Sequence, residues 1–376
     1  MARVAWSIAV VGLAAVLGGA AAAEPLPTPW RVEQVGPLVP LPPALPVRTG
    51  GEARVTGVSG ITWLGGERYA AVMDNSRSLI LFSVALDPGG QPQRVMAAEI
   101  VPLPEHHDYE DLAAWPPPPA TAADAAGWAR LFLAEEDTPA VRLLRWPEVQ
   151  LDGGLRLPRV FRTARPNRGV EAVAADPDGR HVWAANEEAL AADGPGPTPA
   201  TGTVVRIARL PVAGLPQDRA PVARQRAFQV GYAVSPPHAF VRLLDHAVYA
   251  GVVAMVALGD GKLLVVERAG CPGLPPFSNR IELIDTTTAT DVSGLDGGLD
   301  AHPELLVPKR LLWAGSVSAN LEGLCLGPPL TEGRLLLGVT DDGGIALPSA
   351  LVAFRLLPAG QSRETPLPSL NRPGQP

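Results

Sequence analysis

One pattern recurs along this chain and constrains its fold more than any other feature. A small or acidic opening leads into an apolar strand, a turn follows, and a second apolar strand ends in an acid. It runs from Ser59-Gly-Ile-Thr-Trp63 to Ala70-Ala-Val-Met-Asp74, and again from Glu110-Asp-Leu-Ala-Ala114 to Leu131-Phe-Leu-Ala-Glu-Glu136. It returns from Glu171-Ala-Val-Ala-Ala175 to Val182-Trp-Ala-Ala-Asn-Glu187, and from Val253-Ala-Met-Val-Ala257 to Leu263-Leu-Val-Val-Glu267. The last copy runs from Glu322-Gly-Leu-Cys-Leu326 to Leu336-Leu-Gly-Val-Thr-Asp-Asp342. Short apolar runs punctuated by Gly, Pro and Asp-Gly turns are the signature of strands and hairpins. No stretch after residue 23 sustains the i, i+3, i+4, i+7 periodicity of an amphipathic helix.

Two further strands follow most of these pairs, such as Val204–Leu210 with Arg226–Val230, and Ile281–Asp285 with Arg310–Trp313. Four antiparallel strands per repeat make a propeller blade, because each sheet buries both faces against its neighbours. The expected fold is therefore all-β: a β-propeller of four-stranded blades, with five repeats visible and room for a sixth around 186–250 or 286–320. The fifth copy has only one clear following strand, Ala350–Leu356. The early strand Arg31–Val39 is expected to supply its fourth and close the ring.

Arg3 followed by the apolar stretch Ser7 to Ala20 and by Ala21-Ala22-Ala23 reads as a secretory signal peptide cleaved before Glu24. The expected divisions are a leader over 1–23, a Pro-rich segment with the ring-closing strand over 24–50, the propeller over 51–357 and a tail over 358–376. Export to the periplasm or medium of a bacterium follows, with no membrane span after cleavage. A net charge of −7 is the wrong sign for a nucleic-acid partner. Cys271 and Cys325 are the only cysteines, and in an oxidising compartment they allow one disulfide.

In a blade the innermost strand and its neighbour are antiparallel, so the start of one and the end of the other share a face of the disc. Glu110, Glu171 and Glu322 begin inner strands, and Asp74, Glu136, Glu187, Glu267 and Asp341 end their neighbours. All eight are expected to converge on one mouth of the channel. Strand-end acids are also ordinary solvated turn residues, but carboxylates gathered in this number either raise their pKa or recruit a hard cation, Ca2+ above all. His106-His107 beside Asp108 offers a further ligand or base, and at most one of the two can face the mouth. Gly315-Ser-Val-Ser-Ala319 is a poor nucleophile elbow, since no strand–turn–helix context surrounds it.

Several of these segments resemble the phytase-like family, also described as "esterase-like activity of phytase". They are Asp108-Tyr-Glu-Asp-Leu-Ala113, Asn167-Arg-Gly-Val-Glu-Ala-Val-Ala174, Asn320-Leu-Glu-Gly-Leu-Cys325, Ser59-Gly-Ile-Thr62, Leu264-Val-Val-Glu-Arg268 with Asn279-Arg-Ile281, and Gly327-Pro-Pro-Leu330 with Val339-Thr-Asp-Asp342. The likeness spans roughly residues 50–357. It implies a secreted bacterial propeller related to Ca2+-dependent phosphomonoesterases, with Glu110, Glu171 and Glu322 facing metal and Arg168 and Arg268 contacting phosphate. Glu171, Arg168 and Arg268 are the expected catalytic residues, and the partner is a small phosphoester or ester met by a monomer. The chain departs from the family at Ala254, Asp111 and Ala172, and carries only two lysines, Lys262 and Lys309. A non-catalytic binding propeller of the cell envelope and a metal-dependent lactonase-like hydrolase are the alternatives.

Overall fold

The computed structural model describes residues 30–105, 107–118, 130–212, 227–237, 249–270, 276–315, 320–341 and 348–359. The leader, Cys271, His106, Ser316–Ala319 and most of the C-terminal tail, on which the signal-peptide, disulfide and nucleophile-elbow readings rest, lie outside them.

The described strands form five four-stranded antiparallel sheets and one short ribbon. Strand β1 (Trp30–Pro40) comes first, and β2 (Ala44–Pro46) pairs with β3 (Glu52–Arg54) as the ribbon. Blade 1 is β4 (Val58–Gly65), β5 (Arg68–Met73), β6 (Ser78–Leu86) and β7 (Pro92–Pro102). Blade 2 is β8 (Tyr109–Trp115), β9 (Arg130–Glu135), β10 (Ala140–Arg145) and β11 (Gln150–Leu155). Blade 3 is β12 (Val170–Ala175), β13 (His181–Asn186), β14 (Val204–Pro211) and β15 (Phe228–Ala233). Blade 4 is β16 (Tyr249–Gly259), β17 (Lys262–Gly270), β18 (Phe277–Asp285) and β19 (Lys309–Gly315). Blade 5 is β20 (Asn320–Pro329), β21 (Arg334–Asp341) and β22 (Ala350–Pro358), completed on its outer edge by β1.

The propeller thus has five blades, and the described residues of the stretches with room for a sixth add no further sheet. Residues 286–308 carry short 3-10 turns, and Asp193 of the loop at 188–203 accepts from the Leu299 N–H at 3.4 Å while it pairs at 2.6 and 2.7 Å with the fully buried Arg206 of β14, which donates to the Val292 carbonyl at 3.2 Å. β1 pairs with β22 from Trp30↔Pro358 to Pro40↔Ala350, so the first strand closes the ring as expected. An uncovered outer edge of blade 5 would otherwise leave a row of unpaired backbone groups.

The core divides by blade interface rather than by layer. Five apolar clusters each join two adjacent blades: Tyr69 and Val339 between blades 1 and 5, Leu112 and Val72 between 1 and 2, and Phe132 and Val182 between 2 and 3. Trp183 and Val252 join blades 3 and 4, and Leu264 and Leu336 join 4 and 5. Burial of both faces explains why strands such as β5 and β16 read as nearly continuous apolar runs instead of alternating ones.

The inner strands share one irregularity that positions the channel. Pairing skips a residue at Glu110 in β8, at Glu171 in β12, at Val253 in β16 and at Glu322 in β20, and the same shift falls at Ser59-Gly60 in β4. A β-bulge re-aims a side chain and breaks pairing locally. Repeated five times at one level, it forms a ring where the acids begin.

Candidate metal centre

The bulges make the five blades directly comparable. The residue before each bulge pairs with the last partner on the second strand: Val58↔Met73, Tyr109↔Glu135, Val170↔Asn186, Val252↔Glu267 and Leu321↔Thr340. One residue further on, the second strands deliver Asp74, Glu136, Glu187, Arg268 and Asp341. The bulge positions themselves carry Ser59, Glu110, Glu171, Val253 and Glu322. Blades 2, 3 and 5 therefore present two acids each, blade 1 a serine and an acid, and blade 4 a valine and an arginine.

This register moves the fourth blade by one residue from the expected alignment. Glu267 matches Glu135, not Glu136, and its carboxylate turns into the interface between blades 3 and 4. There it accepts from the Tyr232 hydroxyl at 2.6 Å and the Ser235 N–H at 3.2 Å, and it pairs with Lys309 and, at 3.9 Å, with Arg280. The fourth-blade counterpart of the bulge acids is likewise Val253 rather than Ala254.

The remaining acids lie at one mouth. Ligand oxygens of Asp108, Glu110 and Glu136 fall within 4.8 Å of one another, and so do those of Glu136, Glu171 and Glu187. Glu136 belongs to both groups. Ser59 donates to Glu110 at 3.0 Å, and the Gly169 N–H donates to Glu136 at 3.3 Å. Asp74 and Asp341 are near enough to Glu322 for their charges to raise its pKa. Asp108 was named in the sequence only for its neighbours. It joins the site because its carbonyl accepts from the Glu136 N–H at 2.9 Å, which holds the turn before β8 against the end of β9.

Two arginines stand among the acids. Arg268 donates to Glu187 at 2.8 Å, to Asn320 at 3.3 Å and to Glu322. Burial works against its charge, but Glu322, Glu187 and Glu171 outweigh burial and hold its pKa up. Arg168, about one-third exposed, reaches Glu187 at 3.1 Å and Glu188 at 3.2 Å.

Even so, the carboxylates outnumber their counter-charges. Burial first, then Glu136, Asp108, Asp74 and Glu322, push Glu110 well above the usual range. Burial and then Glu187, Glu110 and Glu136 do the same to Glu171. Glu136 is pushed up to about 7 by burial and by Glu187, and Glu322 to about 7 by burial, partly offset by Arg268. Glu322 Oε2 is buried with no hydrogen-bond partner. Oxygen-only donors, excess negative charge and an orphaned carboxylate oxygen fit a hard divalent cation, and they do not suit a soft one.

His107 stands apart from this mouth. It meets Glu105 at 3.2 Å, Glu135 at 3.1 Å and Asp137 at 3.6 Å, while Glu135 is also held by Arg142.

The family model described as esterase-like activity of phytase matches residues 53–344, most of the chain. The chain belongs to this phytase-like family. The match spans all five inner strands, so the whole phytase-like mouth lies inside it. No curated protein matches the chain significantly. Among solved structures it is similar to a streptogramin B lyase, at 10% identity and a TM-score of 0.30, over 87% of this chain and 98% of that one. It is also similar to the propeller domain of Cps50 (Swd1) from Myceliophteria thermophila, at 9% identity and 0.34, over 81% and 87%. A third is Hsv2 of Kluyvelomyces marxianus, at 7% and 0.28, over 71% and 76%. With TM-scores this low, the architecture rests on the strand pairing described above. Among the described residues no helix is long and apolar enough to cross a membrane.

Proposed function

We propose that this phytase-like chain is an exported, divalent-cation-dependent hydrolase of small phosphoesters, with Ca2+ as the cation. The observation that carries the reading is the pair of carboxylate groups sharing Glu136, with Arg168 beside them. Asp108, Glu110, Glu136, Glu171 and Glu187 would hold the cation or cations. When bound, such a cation supplies a Lewis acid and neutralises phosphate charge.

The chain's own groups do the rest. Arg168 has a partly exposed guanidinium that can turn from Glu188 to a phosphate oxygen, where planar paired donors suit the geometry. Arg268 is clamped between Glu187 and Glu322 and keeps both carboxylates aimed at the mouth. Glu171, which shares its group with Glu136 and Glu187, can hold the proton that water gives up. That proton ends on the departing alcohol oxygen.

The test is hydrolysis of 4-nitrophenyl phosphate by the mature chain with Ca2+ and after chelation. The reading expects turnover that chelation removes, that Ca2+ restores, and that Arg168→Met reduces about tenfold or more. Turnover indifferent to chelation would overturn it. A second reading, a binding propeller without catalysis, is favoured by Arg268 itself, since an internal cation already neutralises part of the mouth.

A further inference from the structure

The channel changes character one residue below the acid ring. At that level stand Gly60, Asp111, Ala172, Ala254 and Gly323, four small residues and one carboxyl group. Asp111 is fully buried and accepts from the Leu112 N–H at 2.8 Å and from the Val173 N–H of the neighbouring blade at 2.9 Å. A side chain on Gly60 would strike it, at 2.3 Å from Oδ1 and 2.4 Å from Cα. Asp111 therefore fills the narrow waist of the channel.

Beneath the waist lies a separate cavity of about 310 Å³. Its wall begins with Ile61, Leu112, Val173, Met255 and Leu324, one residue from each inner strand and each two positions past its bulge. Most of the lining side chains are apolar, and backbone groups between them make about half of the wall polar. Thr62, one of its few polar side chains, already accepts from the Ala114 N–H at 3.1 Å.

Arg334 is the exception in that wall. One nitrogen of its guanidinium donates to the Gly327 carbonyl at 2.8 Å, and its Nε–H is buried with no partner. No carboxylate among the described residues pairs with it, and burial alone lowers its pKa. A half-buried cation with no counter-ion is favoured by a ligand that supplies the missing charge.

We propose that this cavity is a second ligand site, which takes a small monocarboxylate with a hydrocarbon body. The body fills the five-stranded wall and the carboxylate meets Arg334. The volume is roughly twice the ~150 Å³ cavity that holds one benzene, which suits a medium-chain acid. The site opens away from the acid mouth, so its ligand is independent of any cation bound there.

Calorimetric titration with octanoate tests the proposal, with octan-1-ol and octylamine as matched neutral and cationic probes. The expected result is saturable octanoate binding at least about tenfold tighter than octanol, the worth of one charge-assisted pair, and unchanged by Ca2+ or chelator. Arg334→Met should remove that tenfold preference. Ala175→Phe, which fills the cavity from the edge of its wall, should abolish binding and decides the matter if the arginine variant does not fold. Absent octanoate binding, octanol or octylamine binding as tightly, or an Ala175→Phe variant that binds like the wild type would each overturn it.

Discussion

Arg268 bonds both Glu187 and Glu322, and among the described residues it is the one arginine that ties the two carboxylates together. Removing one partner of a buried ion pair strands the other, at about 3–5 kcal/mol. Arg268→Met should therefore lower the melting temperature sharply in chelator, and by much less in saturating Ca2+, where a cation takes over part of the arginine's role. Equal losses in both conditions would mean that the arginine and the cation do not act on the same carboxylates. Asp111 makes a similar case without a metal. Asp111→Ala leaves the Leu112 and Val173 N–H groups unsatisfied, at about 1–3 kcal/mol each. Denaturant unfolding measures that loss, and a neutral substitution would contradict the role of Asp111 as the channel's waist.

At the scale of strands, the repeat made the architecture readable. Five apolar openings, each followed by an acid-ending strand, sufficed for a propeller and for most of the acidic mouth. The orphaned fifth copy pointed to β1 as its missing edge. What the pattern concealed was register. A bulge adds a residue without changing composition, so Glu267 read as the fourth-blade partner of Glu136 when Arg268 holds that place. Asp108 was read only with the histidines before it and left out of the rim acids, because it precedes its strand and is held at the site by a backbone bond. The inner strands also approach each other closely where β4 meets β8. Gly60→Ala should cost about 2 kcal/mol or more, since the new methyl meets the Asp111 backbone as well as its carboxyl group. An unchanged melting temperature would mean that the two strands are further apart than described.

For the molecule as a whole, the mouth sets how stability responds to pH. Glu136 and Glu322 are pushed up to about 7 from an ordinary 4.5, so between those values the folded chain binds more protons than the unfolded one. Stability of the stripped protein is then greatest near the low end of that window and falls as pH rises through 7. Its melting temperature should be higher at pH 5.5 than at pH 8. Saturating Ca2+ should reverse the order, because protons and cations compete for the same oxygens. A stripped protein more stable at pH 8 would contradict the account. The most direct measurement is calorimetric titration of chelator-stripped protein with Ca2+, comparing wild type with Glu136→Gln and Glu267→Gln. Saturable binding, lost or weakened at least about tenfold in Glu136→Gln and kept in Glu267→Gln, is the predicted result. Absent binding, or weakening by Glu267→Gln alone, would place any cation elsewhere and remove the basis for a metal-dependent mouth.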